Sequence, residues 1–353
     1  MEKVLLISNK VLHYRIKIYN YLNSRFKKKG YELIILSNEI QLNAGIDPEF
    51  ETYIAPFNLF KYVKRIKRIK PDYVILFLHL KNFIMIPVIL YLKIKKIPVI
   101  YWNHGVNQLD PHNAFKNLIY YFIHRLVDRI LLYTPNERKF IQSKNQKKVF
   151  IANNTIVFDE NLYPINDNKE YLKTKLDIKS RFNVLFVGRD RIYKNLNLII
   201  EIIQSINNDN IGLLIVGPLM DKQKTLQKIE NFKQIKYFGE IYDKVELSEI
   251  YWVSDIFCIP GTNGLGLNEA MFWGLPCITL NVRHSPEIWY LKHNENGYIL
   301  NDDNELKETI INLSMDEKLL KRMSNRSREI ILSEGHINNM YSGFEAVLES
   351  LNE

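Results

Sequence analysis

Two glycine-containing segments of this 353-residue chain carry side chains that could bind a phosphate. The first is Gly188-Arg189-Asp190-Arg191, which ends an apolar run and is soon followed by Lys194. A glycine lets the backbone approach a ligand closely, Arg189 can donate to two oxygens at once, and Lys194 supplies a compact charge. A solvated charged loop would have the same pattern, so this segment alone leaves both interpretations open.

The second segment is CIPGTNGLGLNEAMFWGLPCIT, residues 258–279, in which a strand-like run is followed by three glycines and then Glu269. Gly261, Gly264 and Gly266 expose backbone amides, and the N-terminus of the helix predicted after them is suited to an anion. Glu269 would repel a phosphate but can accept hydrogen bonds from the hydroxyls of a ribose. The alternative is that Glu269 only stabilises the start of the helix through its macrodipole.

Together, the two segments predict a site for a nucleoside diphosphate that carries a transferable group. Amides and cations suit the pyrophosphate, and the acid suits the ribose. A hydride cofactor or nucleotide hydrolysis is less well supported, because no GxGxxG follows a strand and no Walker A motif occurs. The histidines and cysteines have no metal-ligand spacing, so no metal and no cofactor beyond the substrate is expected.

Candidate residues also follow predicted strands in the first half. His104 comes directly after the run PVIYW, where it would lie at the carboxyl edge of a sheet, and we predict a catalytic role for it. A structural histidine is the alternative. Asn9, after the first strand, and Arg15, near the start of the next helix, are predicted to contact the acceptor or a phosphate, with a simple helix cap as the alternative.

Strands must position these side chains, and apolar runs predict them. The runs in the first half are 4–8, 32–37, 73–78, 98–102 and 129–134, with helical patterns over 14–29 and 113–127. The runs in the second half are 183–188, 212–217, 235–240, 256–260 and 276–280. This alternation predicts an α/β fold with two parallel sheets, whose ligands bind at the carboxyl ends of the strands. A polar, proline-containing stretch near 155–182 predicts the boundary.

Charge is unevenly distributed. Residues 1–150 hold 26 Lys and Arg against 10 Asp and Glu, whereas residues 151–353 hold 22 against 29. The basic half predicts an anionic partner. Its densest cluster, KYVKRIKRIK at 61–70, would form a helix with an apolar stripe edged by cations, which suits an anionic membrane surface. The alternative is a helix packed on the sheet with a solvated basic face. Nucleic acid is not expected, because no recognised binding module occurs.

No secretory signal precedes the first strand-like run, and the longest apolar stretch, residues 83–92, is too short to span a bilayer. The two cysteines lie in apolar runs, as buried thiols of a reducing compartment do. We therefore expect a cytoplasmic protein that can associate peripherally with the inner face of the cell membrane.

Several motifs occur in the order seen in family 4 glycosyltransferases. They are FVGRDRIYKN (186–195), LLIVG (213–217), YFGEI (237–241), PGTNGLGLNEAMFWGLPCIT (260–279) and SPEIWYLKHNENGYIL (285–300). The resemblance covers most of residues 183–335. It implies a GT-B fold, in which two Rossmann-like domains face each other across a cleft and the second holds a sugar-nucleotide donor. The domains would span 1–160 and 161–335, with a helix over about 336–353 crossing back to the first.

The resemblance also implies residue roles. Arg189 and Lys194 would neutralise the donor diphosphate, Glu269 would bind the ribose, and His104 would touch the donor sugar. The backbone near residues 239–241 would frame the base. The further donor contacts that it implies are Gly239, Glu240, Ile241, Thr262, Asn263, Gly264 and Leu265.

The chain departs from the family pattern at Gly261. The family usually carries two glutamates separated by seven residues, and Gly261 stands eight positions before Glu269. The sequence resembles a sub-branch with PGxxGL, common among surface-polysaccharide enzymes. Backbone amides of residues 263–265 would then take over the contact of the missing acid with the transferred sugar.

These observations predict a metal-independent glycosyltransferase, retaining by resemblance, that moves a sugar from a nucleotide donor to a glycan or lipid-linked glycan in surface polysaccharide biosynthesis. Two other hypotheses stay open. A sugar-nucleotide epimerase of the same architecture would convert its donor without an acceptor. An inactive scaffold would bind a membrane or a partner but no nucleotide.

Overall fold

The protein divides into two compact units, Met1–Val157 with His336–Glu353, and Phe158–Gly335. A computed structural model describes residues 1–41, 46–77, 84–108, 110–115, 117–165 and 168–352. Leu78 and Phe83, which end or begin two of the predicted apolar segments, lie outside the described residues. The first unit is thus built from two separate stretches of the chain.

The first unit contains a parallel sheet. Its described strands are β1 (Glu2–Val11), β2 (Tyr31–Ile40), β3 (Glu51–Ile54), β4 (Tyr73–Phe77), β5 (Val99–Trp102), β6 (Arg129–Leu132) and β7 (Val149–Ile151). They pair in the order β3-β2-β1-β4-β5-β6-β7. The helices between them are α1 (His13–Lys28), α2 (Leu59–Ile69), α3 (Met85–Ile94) and α4 (Leu118–Leu126).

The second unit repeats this architecture. Its described strands are β8 (Phe182–Val187), β9 (Ile211–Val216), β10 (Ile235–Tyr237), β11 (Ile256–Cys258), β12 (Cys277–Leu280) and β13 (Gly297–Leu300), paired in parallel in the order β10-β9-β8-β11-β12-β13. Its helices are α5 (Lys169–Lys175), α6 (Leu196–Ile206), α7 (Lys222–Ile229), α8 (Lys244–Val253), α9 (Leu265–Phe272), α10 (Asp303–Met315) and α11 (Glu317–Glu334).

Helices cover both faces of the first sheet, which explains why its strands read as continuous apolar runs rather than alternating ones. One face packs against α2, α3 and α4. The other packs against α1 and against α12 (Ile337–Glu349), the last helix of the chain. Phe344 of α12 lies edge-on against Trp102 of β5, with ring centroids 4.9 Å apart. The predicted return of the last helix to the first unit is therefore confirmed.

Strand order reverses once in each sheet, between β1 and β4 in the first and between β8 and β11 in the second. Open parallel sheets bind ligands outside the carboxyl ends of their strands at such a reversal. The loops that follow β8 and β11 hold Arg189, Lys194 and the glycine-rich segment before Glu269. The topology thus brings the two candidate segments of the second half to one point.

Several predicted boundaries were wrong. Strand β1 continues to Val11, paired with β2, so Asn9 lies in a strand rather than in a loop. Strand β10 ends at Tyr237 and helix α4 begins only at Leu118. Strands β3, β7 and β13 were not predicted, because runs of three or four residues carry too little pattern to be recognised. No helix among the described residues is long and apolar enough to cross a membrane.

Candidate functional site

Three neighbouring strands of the second sheet are each followed, within two residues, by a glycine with positive φ. These are Gly188 after β8 (φ 143°), Gly217 after β9 (φ 123°) and Gly239 after β10 (φ 81°). The Gly188 amide donates to Val216 O at 2.9 Å, and the Gly217 amide donates to Gly239 O at 2.7 Å. A Cβ atom on Gly217 would overlap the Gly188 carbonyl, so the strand ends approach closely only because this side chain is absent. At these three glycines the carboxyl edge of the sheet therefore presents backbone atoms without side chains.

Lys194 folds back onto this edge. Its Nζ atom occupies the space that a side chain on Gly188 would fill. Among the described residues no acceptor is found for this ammonium, and burial lowers the pKa of Lys194. A partly desolvated cation without an anion is costly. The site therefore has a charge that a phosphate would neutralise.

Arg189 is exposed beside Lys194, at the end of β8. No carboxylate or carbonyl in the described part of the chain accepts a hydrogen bond from its guanidinium. Its charge does act on the Tyr242 phenol, whose hydroxyl donates to Glu240 Oε2 at 2.6 Å. The hydrogen bond to Glu240 outweighs Arg189 and raises the pKa of Tyr242. The predicted base-framing residues thus lie near the predicted diphosphate cation, with Ile241 half-buried.

The loops after β8 and β11 are joined through their backbones. The Gly261 amide donates to Lys194 O at 3.2 Å, and the Thr262 amide donates to Tyr193 O at 2.7 Å. A Cβ atom on Gly261 would overlap the Tyr193 carbonyl and lie 2.8 Å from Lys194 Cα. Residue 261 therefore has no room for the glutamate that the family pattern carries there. The departure seen in the sequence thus goes together with the close packing of this loop against residues 193 and 194.

Asn263 braces this loop from within. Its buried side-chain amide donates to Ile259 O at 3.1 Å, to Gly261 O at 3.2 Å and to Thr279 Oγ1 at 3.0 Å. Its backbone amide donates to His284 Nδ1 at 3.2 Å, so that N–H group is already engaged. The Thr262 hydroxyl likewise donates to a backbone carbonyl, at residue 283. Asn263 and Thr262 therefore stabilise the shape of the loop, and their predicted contacts with the donor stay predictions.

Backbone N–H groups do remain free at the start of α9. Among the described residues, no acceptor is found for the amides of Gly264, the N-cap, and Leu265, the first helical residue. Unpaired amides at a helix N-terminus favour an anion. Two of the three amides that the sequence predicted for the sugar contact are thus available.

Glu269 lies in the second turn of α9 and not at its start, since the helix begins at Leu265. Its Oε1 atom accepts a hydrogen bond from the Trp273 indole at 3.3 Å. The macrodipole effect falls off within the first turn, so the alternative explanation of this acid is wrong. The carboxylate is half-buried and held in place by an aromatic neighbour.

In the first unit, His104 follows β5 and forms a pair that the sequence did not reveal. Its Nδ1 atom lies 3.0 Å from Glu137 Oε1, and the His104 ring packs edge-on against Tyr133 at 4.3 Å. Glu137 is only 3% exposed and belongs to a 3-10 turn after β6. The sequence signal was the T-x-x-E pattern from Thr134 to Glu137, which marks a helix start.

Arg15 is buried rather than open to an acceptor. Only 6% of it is exposed, and its guanidinium stacks over Phe77 at 4.4 Å and Trp102 at 5.2 Å. Nearby tyrosine hydroxyls keep its pKa raised despite the burial. Asn9 lies in β1 and is half-buried. Arg15 is thus buried among aromatic rings, whereas the acceptor contact of Asn9 stays a prediction.

The apolar stripe of the basic helix faces the core. Tyr62, Ile66 and Ile69 of α2 are buried against the first sheet, whereas most of the cations from 61 to 70 are exposed. The alternative interpretation, a packed helix with a solvated basic face, describes α2. Phe60, at its first turn, is an exception with 82% exposure. Among the described residues no group of His, Cys, Asp or Glu could hold a metal ion.

Residues 168–330 match the profile of the family described as Glycosyl transferases group 1. The chain is 24% identical over 275 residues to the amylovoran biosynthesis glycosyltransferase AmsD of Erwinia amylovora, covering 76% of this chain and 75% of AmsD. Its fold is similar to that of HepE from Anabaena in complex with UDP (TM-score 0.78, 14% identity, 99% and 100% of the two chains). It is also similar to WaaG, a glycosyltransferase involved in lipopolysaccharide biosynthesis (TM-score 0.66, 16% identity, 98% of each). The family match thus covers a little under half of the chain, residues 168–330, and the fold of the whole chain is the GT-B fold of these glycosyltransferases.

Proposed function

We propose that the protein transfers a sugar from a nucleoside diphosphate to a glycan or lipid-linked glycan acceptor in surface polysaccharide biosynthesis. The observation that carries this proposal is that Arg189 and Lys194 and the amides at the start of α9 have no hydrogen-bond partners in the part of the chain that the structure describes, while the loops that hold them are joined through Gly261 and Lys194. All lie at the strand-order reversal of the second sheet. The names of AmsD and WaaG support the glycan class, and the UDP in the HepE crystals supports the donor class.

The proposed chemistry needs only these groups. The cations and amides hold the two phosphates and stabilise the negative charge that grows on the diphosphate as its bond to the sugar breaks. Glu269 accepts hydrogen bonds from the ribose. Because the leaving group is neutralised by side chains and amides, we propose that transfer is independent of metal. Retention of configuration is proposed from the resemblance to family 4 glycosyltransferases alone. His104 acts from the first unit, on the sugar.

The test is a thermal-shift screen with UDP-, GDP-, ADP- and dTDP-sugars, followed by product analysis. A ligand at a hundredfold its dissociation constant stabilises by about 2.7 kcal/mol. A matching donor shifts the melting temperature, and sugar then appears on a lipid-linked acceptor from membranes. Conversion of the donor without acceptor would instead identify an epimerase. If no nucleotide shifts the melting temperature, the donor site is refuted and the hypothesis of an inactive scaffold is favoured.

We also propose that the protein acts at an anionic membrane surface in the cytoplasm. Helices α2, α3 and α4 cover one face of the first sheet and leave large apolar side chains exposed among cations. Those side chains are Phe60, Leu90, Ile94, Leu118 and Phe122. Together, exposed apolar groups and cations suit an interface with acidic lipids.

Sedimentation with liposomes tests this second proposal. Vesicles with acidic lipid should retain the protein at low salt and release it at high salt. Replacing Lys64, Lys67 and Arg68 with Gln should abolish retention while nucleotide binding is unchanged, and Lys222→Gln, an exposed cation of the second unit, is the control. Equal retention on neutral vesicles at every salt concentration would show that charge plays no part.

A further inference from the structure

The imidazole of His104 is hydrogen-bonded to the buried carboxylate of Glu137. Glu137 Oε1 lies 3.0 Å from Nδ1 of His104, and the Gln108 side-chain amide donates to the same oxygen at 3.4 Å. The side chain of His104 is about a third exposed, whereas that of Glu137 is almost fully buried. Among the described residues, the other ring nitrogen, Nε2, has no partner. One edge of the ring is thus anchored and the other is available.

Glu137 is itself fixed by the backbone. Its second oxygen, Oε2, accepts hydrogen bonds from the amides of Tyr133 at 2.8 Å and Thr134 at 3.1 Å. A buried carboxylate is tolerated only when such donors satisfy it. Because both donors are backbone groups at the end of β6, the carboxylate cannot turn without losing them. Its orientation is set by the sheet.

This arrangement determines which nitrogen of His104 carries the proton. An ionised carboxylate only accepts hydrogen bonds, so Nδ1 must donate and, in the neutral imidazole, Nε2 is left as an acceptor. An acceptor suits a hydroxyl group, which can donate to it, and does not suit a phosphate. The available edge of His104 therefore matches a sugar hydroxyl.

We propose that Glu137 is a positioning residue that holds His104 with its proton on Nδ1 and presents Nε2 to a hydroxyl of the transferred sugar or acceptor. The inference rests on the proposed function, because it assumes that His104 takes part in transfer. Orientation of an imidazole by a buried carboxylate is a general device for selecting a tautomer. Here it is supplied from the next strand, 33 residues away in the chain.

The decisive variant is Glu137→Gln. The amides of residues 133 and 134 still require an acceptor, so the Gln oxygen takes the place of Oε2 and its NH₂ group faces His104. Nδ1 must then accept, and the proton moves to Nε2. The substitution is nearly isosteric, so it reverses the polarity of one hydrogen bond without opening a cavity.

The control is Asp128→Asn. Asp128 also binds a backbone amide, that of Val99 at 2.9 Å, and pairs with Lys93 at 3.1 Å, but does not contact His104. Nitrogen NMR of histidine side chains, in alkaline buffer where imidazole is neutral, reports the tautomer. The His104 signal is assigned from its loss in His104→Ala. Turnover and nucleoside diphosphate affinity are measured on the same samples.

We expect the Nδ1–H tautomer in the wild type and in Asp128→Asn, and the Nε2–H tautomer in Glu137→Gln. Turnover of Glu137→Gln should fall at least tenfold, with nucleotide affinity and melting temperature close to those of the wild type. An Nε2–H tautomer in the wild-type protein overturns the proposal, and this measurement does not depend on the folding of any variant. An unchanged tautomer in folded Glu137→Gln overturns it as well.

Activity measurements distinguish the positioning role of Glu137 from the proposed role of His104 in transfer. If His104→Ala loses transfer while Glu137→Gln shows the other tautomer and normal turnover, the positioning role is wrong and the proposed function of His104 stands. If His104→Ala itself turns over normally, both fail, although the donor site of the second unit is untouched.

Discussion

Replacing Lys194 with Met tests whether this side chain contributes to nucleotide binding and not to the stability of the fold. The Lys194 ammonium lies against Gly188 with no acceptor among the described residues, and burial lowers its pKa. Met is an unbranched side chain one atom shorter than Lys, and it removes the charge. We therefore expect Lys194→Met to weaken nucleotide binding without lowering the free energy of unfolding.

The magnitude follows from the lost contact. A hydrogen bond from a charged group is worth about 1.5–3 kcal/mol, which corresponds to roughly a 10- to 150-fold loss of affinity for a nucleoside diphosphate. The described residues include no ion-pair partner of Lys194 that the substitution would remove, so the melting temperature without nucleotide should be unchanged or higher. Isothermal calorimetry measures the affinity, and Lys222→Met, which removes an exposed cation of the same unit, is the matched control.

The pH dependence gives an independent check with a defined sign. Burial lowers the pKa of Lys194 in the folded protein below its ordinary value of 10.5. Between these two values the unfolded chain binds more protons, so the contribution of Lys194 makes the free energy of unfolding rise with pH. Lys194→Met should lose this rise, whereas Lys222→Met should keep it. Unchanged nucleotide affinity, or a marked fall in the melting temperature of Lys194→Met, would refute the reasoning.

Three further outcomes are expected. Gly261→Ala should lower the free energy of unfolding, measured by urea denaturation, by about 1–3 kcal/mol, because its Cβ meets the backbone carbonyl of Tyr193. Wild-type stability of this variant would contradict the close packing of the loops after β8 and β11. Arg189→Gln and Glu269→Gln should each weaken nucleotide binding about tenfold in calorimetry, whereas Arg191→Gln and Glu246→Gln, which change exposed residues of the same unit, should not; equal effects would indicate only general electrostatics. Transfer should persist in EDTA, and loss of activity restored by magnesium would reject metal independence.

The residues that follow β8 and β11 could be identified from the sequence because local pattern suffices for them. An apolar run that ends in glycine marks a buried strand and its turn, and the cations or acid come next in the chain. The roles of Arg189, Lys194 and Glu269 stay predictions. Their loops, however, lie where the strand order of the sheet reverses.

Other features could not be predicted, because they depend on residues distant in the chain. Arg15 was expected at an acceptor site, but its guanidinium is buried between aromatic rings contributed by β4 and β5. The stripe of α2 was open to two interpretations, since periodicity shows that a helix has an apolar face and not what covers it. Packing against the sheet decided between them.

The sequence by itself determined the two parallel sheets and the loops that carry the candidate donor residues, because apolar periodicity and glycine positions act over a few neighbouring residues. The return of the last helix was predicted only through the resemblance to a known family. Only the tertiary structure decided that Glu137 holds His104 and that the backbone of Tyr193 and Lys194 excludes a side chain at Gly261. Both contacts join the ends of different strands. Their partners are set by strand order and by the close approach of backbones, which no local pattern of residue types encodes.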